Sequence, residues 1–502
     1  MSTTAGSGVE VVAIDTPALG DRSYLAHDGE VALVADPQRD IDRVLAAAAA
    51  QGVRITHVFE THLHNDYITG GLALALATGA AYHVNAADEV AFDRVPVADG
   101  DLVEVSPAIR VRALATPGHT FTHLSYALEV GAHAHAVFTG GSLLYGSTGR
   151  PDLLGRAHAE GLARAQFASA HRLAAVLPEH ADVYPTHGFG SFCSATQSAG
   201  NFSTIGRELR VNPALTLEED RYVSELLAGL DVYPAYYAHM GPANAAGPSG
   251  PDLSAPHQAD AAELRRRVEA GEWVVDLRAR RAFAAGHVAG TLSFDVDGSF
   301  ATYLGWLIPW GTPLTLLGQS PEQVAEAQRE LVRIGIDRLA AAATGRPDAW
   351  TGSQPLRSYP VADFAGLAVV RRHRDVVILD VRRDQEWTAS HISGATHIPL
   401  HQLPARLAEV PAGEVWVHCE AGYRASVAAS FLDAAGRMVV AVDDEYHRAA
   451  AAGLPVAGRP ARGLLCPARP EVTGGRLNQK GRGERPRLPS GEPGPGPFPA
   501  IR

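Results

Sequence analysis

The stretch VFETHLHNDYITGG, residues 58–71, decides how the first part of this chain is read. An apolar run ends there in a loop that carries His62, His64 and Asp66. Imidazole and carboxylate groups at that density after a strand suit a metal ion, and imidazole accepts Zn, Fe and Cu alike. A single histidine is more often a satisfied core or surface residue. Two further strand-to-loop segments shift the balance: ATPGHTFTHLSY (115–126) carries His119 and His123, and VYPTHGFGSFC (183–193) carries His187. Three such segments meeting on one side of a sheet predict a metal centre.

Around this stretch, to about residue 250, short apolar strands alternate with Ala-rich helical patterns. VEVVAI and EVALVAD read as strands, and IDRVLAAAAAQG reads as a helix closed by Gly52. The segment GPANAAGPSGPDLSAP (241–256) reads as a linker with little to bury. Beyond it the chain repeats itself. WVVDLRARRAFAAGHVAGT (273–291) matches VILDVRRDQEWTASHISGA (377–395) without a gap: Asp276 with Asp380, Arg278 with Arg382, Phe283 with Trp387, His287 with His391, Gly290 with Gly394. That register predicts two copies of one small α/β domain, at 257–350 and 358–456. From 457 to 502 the chain is rich in Pro, Gly and Arg, and a disordered tail is expected.

The fold class is therefore multidomain α/β, and 502 residues are too many for one core. Hydrophobic residues make up 46% and charged residues 20%, a globular balance, with no apolar run of the roughly 20 residues that span a bilayer. A net charge of -12 argues against nucleic acid or an anionic membrane surface as partner. Three cysteines form no disulfide framework, and no secretory signal opens the chain, so a cytoplasmic location is expected.

The second informative stretch is VWVHCEAGYRASVAASFL (415–432). A strand delivers Cys419 into the short loop Glu420, Ala421, Gly422, Tyr423, and a helix is expected from near Ala425 or Ser426. The sulfur then faces backbone N–H groups at a helix N-terminus, with Arg424 adding positive charge, an environment that favours a thiolate or persulfide anion. A buried structural cysteine would not need Gly422 and Arg424 in so tight a loop. Together with DVRRDQEW and SHISGATHIPL, the loop resembles that of rhodanese sulfurtransferases over residues 360–456. The resemblance implies Cys419 as nucleophile and Arg424 as its stabiliser. Related phosphatases have one more residue between Cys and Arg, so sulfur transfer is favoured. The earlier copy reads TPLTLLGQSPEQVAEAQREL (312–331) at this place and holds no cysteine, so it resembles an inactive rhodanese domain.

Residues 9–210 resemble the metallo-β-lactamase fold, an αββα sandwich with metal at one edge. Within it, GRPDLLG and THGFGSFC resemble persulfide dioxygenases, including those fused to rhodanese domains. That resemblance implies one Fe(II), with Zn as the other candidate, held by His62, His119 and an aspartate. The aspartate position carries Gly141, in VFTGGSLLYGSTGRPDLLG (137–155). Asp66, His187, His64 or water are the remaining candidates for the third ligand, and Gly141→Asp is expected to restore a donor. Tyr67 stands where two-metal hydrolases have a histidine, which argues against a second metal. The implied function is oxidation of a thiol persulfide, such as glutathione persulfide, to sulfite, with sulfane sulfur passed through Cys419. The partners are then small thiols and persulfides, and homo-oligomerisation stays open. The alternatives are a thioesterase with an attached rhodanese and a sulfane-sulfur carrier that oxidises nothing.

Overall fold

Strands buried on both faces must find an apolar neighbour on each side, and this requirement builds the first part of the molecule. A computed structural model describes residues 8–131, 133–196, 200–296 and 299–458. One sheet takes six strands in chain order: Glu10–Thr16, Asp21–His27, Val31–Ala35, Arg54–Phe59, Ala81–Asn85 and Val95–Val97. The second takes Leu102–Glu104, Arg110–Ala115, Leu124–Val130, His133–Gly140 and Asp182–Pro185. Tyr24, Ala26, Leu33 and Phe59 of the first meet Val111, Tyr126, Leu128 and Phe138 of the second. The alternate residues Leu25, Ala32, Val34 and Val58 face outward onto Val44, Ala48, Leu74 and Ala75 of helices Asp42–Gln51 and Gly71–Thr78. On the far side Leu114, Ala127, Val137 and Val183 meet Ala163, Ala170 and Leu173 of helix Ala159–Val176. Each large side chain so buried contributes about 1.5–3 kcal/mol. The result is the expected helix–sheet–sheet–helix sandwich.

The repeat is visible as two parallel sheets with one strand order. The first runs Leu292–Ser293, Trp273–Asp276, Leu314–Gly318, Ala341–Thr344. The second runs Thr396–His397, Val377–Asp380, Val415–His418, Val439–Val442, with Val361–Ala362 added at its edge. The matched residues make matched contacts. Arg278 Nη2 donates to Asp276 at 2.6 Å and to the Gly286 carbonyl at 2.8 Å; Arg382 Nη2 donates to Asp380 at 2.7 Å and to the Ser390 carbonyl at 2.6 Å. His287 stacks on Phe283 at 3.9 Å, and His391 on Trp387 at 3.8 Å. These residues tie a strand end to the helix that follows, which is why they recur together.

The sandwich and the two sheets pack as one unit, with an apolar cluster that takes in Tyr67, Met240, Phe300, Leu304, Leu403 and Val427. Asp40 accepts from Arg333 at 2.7 Å, and Asp433 from His287 at 3.1 Å and from Arg357 at 2.8 Å. The expected linker is not wholly a linker. Helix Tyr237–Ala245 takes its first residues, because Asn244 is buried and its side chain bonds the carbonyls of His64 and Tyr67 and the Thr69 N–H. The tail from 459 lies outside the described residues, and Ala457, placed in the tail, pairs with His391 in a short antiparallel bridge. Among the described residues no helix is long and apolar enough to cross a membrane.

Candidate functional site

The histidine loops leave their strands at one end of the sandwich and are gathered by a single buried carboxylate. Asp36, at φ 49°, follows strand Val31–Ala35. It accepts from the Thr61 N–H at 2.7 Å, from the Thr61 hydroxyl at 2.8 Å and from the Thr186 hydroxyl. Thr61 and Thr186 each precede a histidine of the site, so Asp36 sets the positions of His62 and His187 together. Nothing in the alternation of VALVAD distinguishes this aspartate from a solvated strand end.

His62, His119 and His187 are fully buried, with ring centroids 4.9–5.4 Å apart. The Nδ1 of each faces an oxygen: Thr61 Oγ1 at 2.9 Å for His62, the Arg150 carbonyl at 2.9 Å for His119, and Asp21 at 2.9 Å with Asp66 at 3.1 Å for His187. Fixing Nδ1 in this way turns Nε2 inward, the arrangement that orients imidazole toward a metal. His119 Nε2 has no hydrogen-bond partner among the described residues. His62 Nε2 and His187 Nε2 lie 3.4 Å apart. Burial, and then the neighbouring histidines, hold His62 well below the usual imidazole range, and burial pushes His119 down to about 3, so both rings are neutral donors. His187 is pushed well above that range because Asp66 and then Asp21 outweigh its burial. The approach of His62 Nε2 and His187 Nε2 marks a position that a divalent cation can take. Two overlapping sets that share His187, one with His62 and His64 and one with His119 and Cys193, bring their ligand atoms within 4.8 Å of one another and fit a divalent metal.

Gly141 has a different part from the one the sequence suggested. A Cβ built there would lie 2.6 Å from Cγ and 2.8 Å from Nε2 of His119, and one at Gly149 would lie 2.6 Å from His119 Nδ1. The two glycines form the slot that holds the His119 ring. An aspartate at 141 would therefore have to shift the His119 ring before it could offer a donor, which counts against the expectation that Gly141→Asp restores a ligand.

The other residues of the opening stretch lie around this centre. His64 Nε2 faces Glu60 at 3.3 Å, Asp36 at 3.4 Å and the Tyr67 hydroxyl at 3.0 Å. Burial alone would lower its pKa, but Asp36 and then Glu60 carry it up to about 9. His64 also belongs with His62 and His187 to a group close enough to share one ion, as do Asp21, Asp66 and His187. Asp66 is held ionised, its burial offset by His187. His123 is fully engaged, facing Thr116 Oγ1 at 2.9 Å and accepting the Gly141 N–H at 3.1 Å.

In the last sheet, strand Val415–His418 delivers Cys419, 2% exposed, and the chain turns at Gly422 with φ 88°. That left-handed turn lets the helix begin at once, as Tyr423–Ala434, earlier than the Ala425 or Ser426 expected. A side chain at 422 would also run into Asp443. Glu420 and Ala421 are exposed, and Tyr423 donates to the Asp295 carbonyl at 3.2 Å. Arg424 is buried in the first turn of that helix. Its two-pronged donor is taken by Glu386, at 2.6 and 2.7 Å. Beside it lies a narrow cleft lined by Tyr303 and Trp306 of the middle part and by Arg383 and His401 of the last. Trp306 packs on His401 at 5.2 Å and on Phe192 of the sandwich at 5.2 Å. Sequence spacing could not reveal Glu386, Tyr303 or Trp306, because each reaches the loop from another element.

The metallo-beta-lactamase superfamily model matches residues 21–187, and the hydroxyacylglutathione hydrolase of Cupriavidus taiwanensis is 30% identical over 254 residues, 45% of this chain and 91% of that protein. This chain belongs to the metallo-beta-lactamase superfamily. It also carries a rhodanese-like domain, matched over residues 368–450. The mitochondrial persulfide dioxygenase of Homo sapiens is 30% identical over 173 residues, 34% of this chain and 61% of that protein. The chain spans only 57% of the hydroxyacylglutathione hydrolases of Polaromonas sp. and Nitrosococcus oceani. A crystal structure described as a metallo-beta-lactamase from Staphylococcus aureus superposes with a TM-score of 0.60 at 26% identity, covering 67% of this chain and 99% of that one.

Proposed function

We propose that this protein handles sulfane sulfur, oxidising a small-thiol persulfide at the sandwich centre and transferring sulfur through Cys419. The observation that carries the reading is Cys419 at the tight turn into helix Tyr423–Ala434, in the same compact unit as a histidine-rich metal centre. Tyr67 supports one metal over two: its hydroxyl is bonded to His64 and to the Asp36 carbonyl, and burial keeps the phenol protonated. Two-metal hydrolysis would lack a ligand there. The parallel sheet at 273–344 is read as an inactive rhodanese-like copy, since its strand Leu314–Gly318 leads to Gln319 and Ser320 with no thiol.

His62, His119 and His187 would hold the metal, Fe(II) or Zn, and with Fe(II) it supplies binding and activation of dioxygen and of the persulfide sulfur. The buried rings and Tyr67 exclude water, and Asp21 and Asp66 fix the His187 ring. The overall change is RSSH + O2 + H2O to RSH + sulfite + two protons. At the second site the Cys419 thiolate attacks the outer sulfur of RSSH. The new Cys419 S–S bond forms as the old S–S bond breaks, and RS⁻ leaves. An acceptor nucleophile then takes the sulfur and returns the thiolate. Arg424, held by Glu386, and the helix N–H groups stabilise the sulfur anion.

The test is oxygen uptake and sulfite yield with glutathione persulfide, beside hydrolysis of a hydroxyacylglutathione thioester. The reading requires the first and not the second. Thioester hydrolysis without oxygen uptake would assign the sandwich to the hydrolases, and neither activity would leave a carrier.

A further inference from the structure

We propose that Cys193 is the anionic donor of the metal centre, where Gly141 offers no side-chain donor. This rests on the metal centre proposed above. Cys193 is fully buried, and its Sγ belongs with His119 and His187 to a group whose ligand atoms lie within 4.8 Å of one another. His119 Nε2, in that group, is buried and has no partner among the described residues. Arg150 couples the two residues: its N–H donates to the Cys193 carbonyl at 2.8 Å, and its own carbonyl takes His119 Nδ1 at 2.9 Å. The Cys193 N–H is held in turn by Ser191 Oγ at 3.2 Å. Backbone bonds thus bring a thiol and an unpaired imidazole nitrogen together beside His187.

On binding, the thiol proton leaves by way of Asp66, its hydrogen-bond partner, and the thiolate sulfur donates a pair to the cation, so one charge is neutralised and one proton is released. A sulfur donor among imidazoles selects Zn or Fe over Mg or Mn, which prefer oxygen. The glycine at 141 and the cysteine at 193 then form one exchange: the carboxylate gives way to the His119 ring, and the negative charge arrives from the opposite loop.

The full chain, stripped of metal, is titrated with Co(II) and followed by absorption. The expected result is one equivalent bound with intense thiolate-to-cobalt charge transfer in the near ultraviolet. Cys193→Ser should lose that band and bind Co(II) at least about 10-fold more weakly, the scale on which even partners of ligands register. Should Cys193→Ser fail to fold, the double variant Cys419→Ser, Cys466→Ser decides alone, since Cys193 is then the single thiol and must give the band. Stoichiometric Co(II) with no charge transfer, or a band that survives Cys193→Ser, overturns the proposal and leaves the histidine centre standing. A chain that takes up no Co(II) overturns the centre itself.

Discussion

Replacing Glu386 by Gln isolates what the ion pair behind the sulfur loop contributes. Glu386 is one-fifth exposed and receives both prongs of Arg424, with Arg383 as a third donor at 3.1 Å. Burial alone would raise its pKa, but the hydrogen bonds and charge of Arg424, and then Arg383, bring it from 4.5 down to about 2. A gap of that size corresponds to about 3 kcal/mol of folded-state stabilisation. Because the folded pKa is the lower one, this contribution is complete above the unfolded pKa and disappears as pH falls from about 4.5 toward about 2. Truncating a buried pair leaves the other charge without its partner, which costs about 3–5 kcal/mol; an amide keeps part of the hydrogen bonding and belongs at the lower end. Glu386→Gln should therefore lose about 3 kcal/mol at neutral pH. It should also show a flatter loss of stability between pH 5 and pH 3 than the parent. Denaturant unfolding followed by tryptophan fluorescence reads this out, with Trp387 stacked between His391 and His397 as the local reporter. Unchanged stability at neutral pH, with an unchanged acid limb, would refute the reasoning.

Gly141→Asp should bind Fe(II) or Zn at least about 10-fold more weakly than the parent, because the new Cβ enters the His119 ring; metal analysis showing higher occupancy would restore the missing-ligand view. Ser320 caps helix Pro321–Arg333 by accepting the Gln323 N–H, so Ser320→Ala should cost about 1 kcal/mol of stability and leave sulfur transfer unchanged. A loss of turnover in the folded variant would end the reading of the middle copy as inactive. Trp306→Ala removes the stack on His401 and widens the cleft beside Arg424; it should lower KM for glutathione persulfide several-fold and change that for thiosulfate little, and equal effects on both would contradict the cleft as an entrance.

Much of this was legible in the chain because period-two burial and strand-end histidines leave strong local marks. His62, His119 and His187 stand at strand ends in sequence and meet in space. The repeat could be read because Asp276 with Arg278, and Asp380 with Arg382, satisfy one another within a few residues. What stayed hidden depends on distant segments. Asn244 looked like linker because its partners, His64 and Tyr67, lie in the opening loop. Gly141 looked like a lost ligand because a glycine that makes room and a glycine that replaces a donor are the same letter. Cys193 followed a Gly-rich turn, and its nearness to His119 comes from backbone bonds through Arg150 that no spacing encodes.

The central claim is that Cys419 accepts sulfane sulfur. The direct measurement is mass spectrometry of the chain after brief exposure to glutathione persulfide, with peptides mapped before and after cyanide. The account predicts one added sulfur atom on the peptide that carries Cys419, removed by cyanide with formation of thiocyanate and absent in Cys419→Ser. No added sulfur at Cys419, or an addition that persists unchanged in Cys419→Ser, would contradict it.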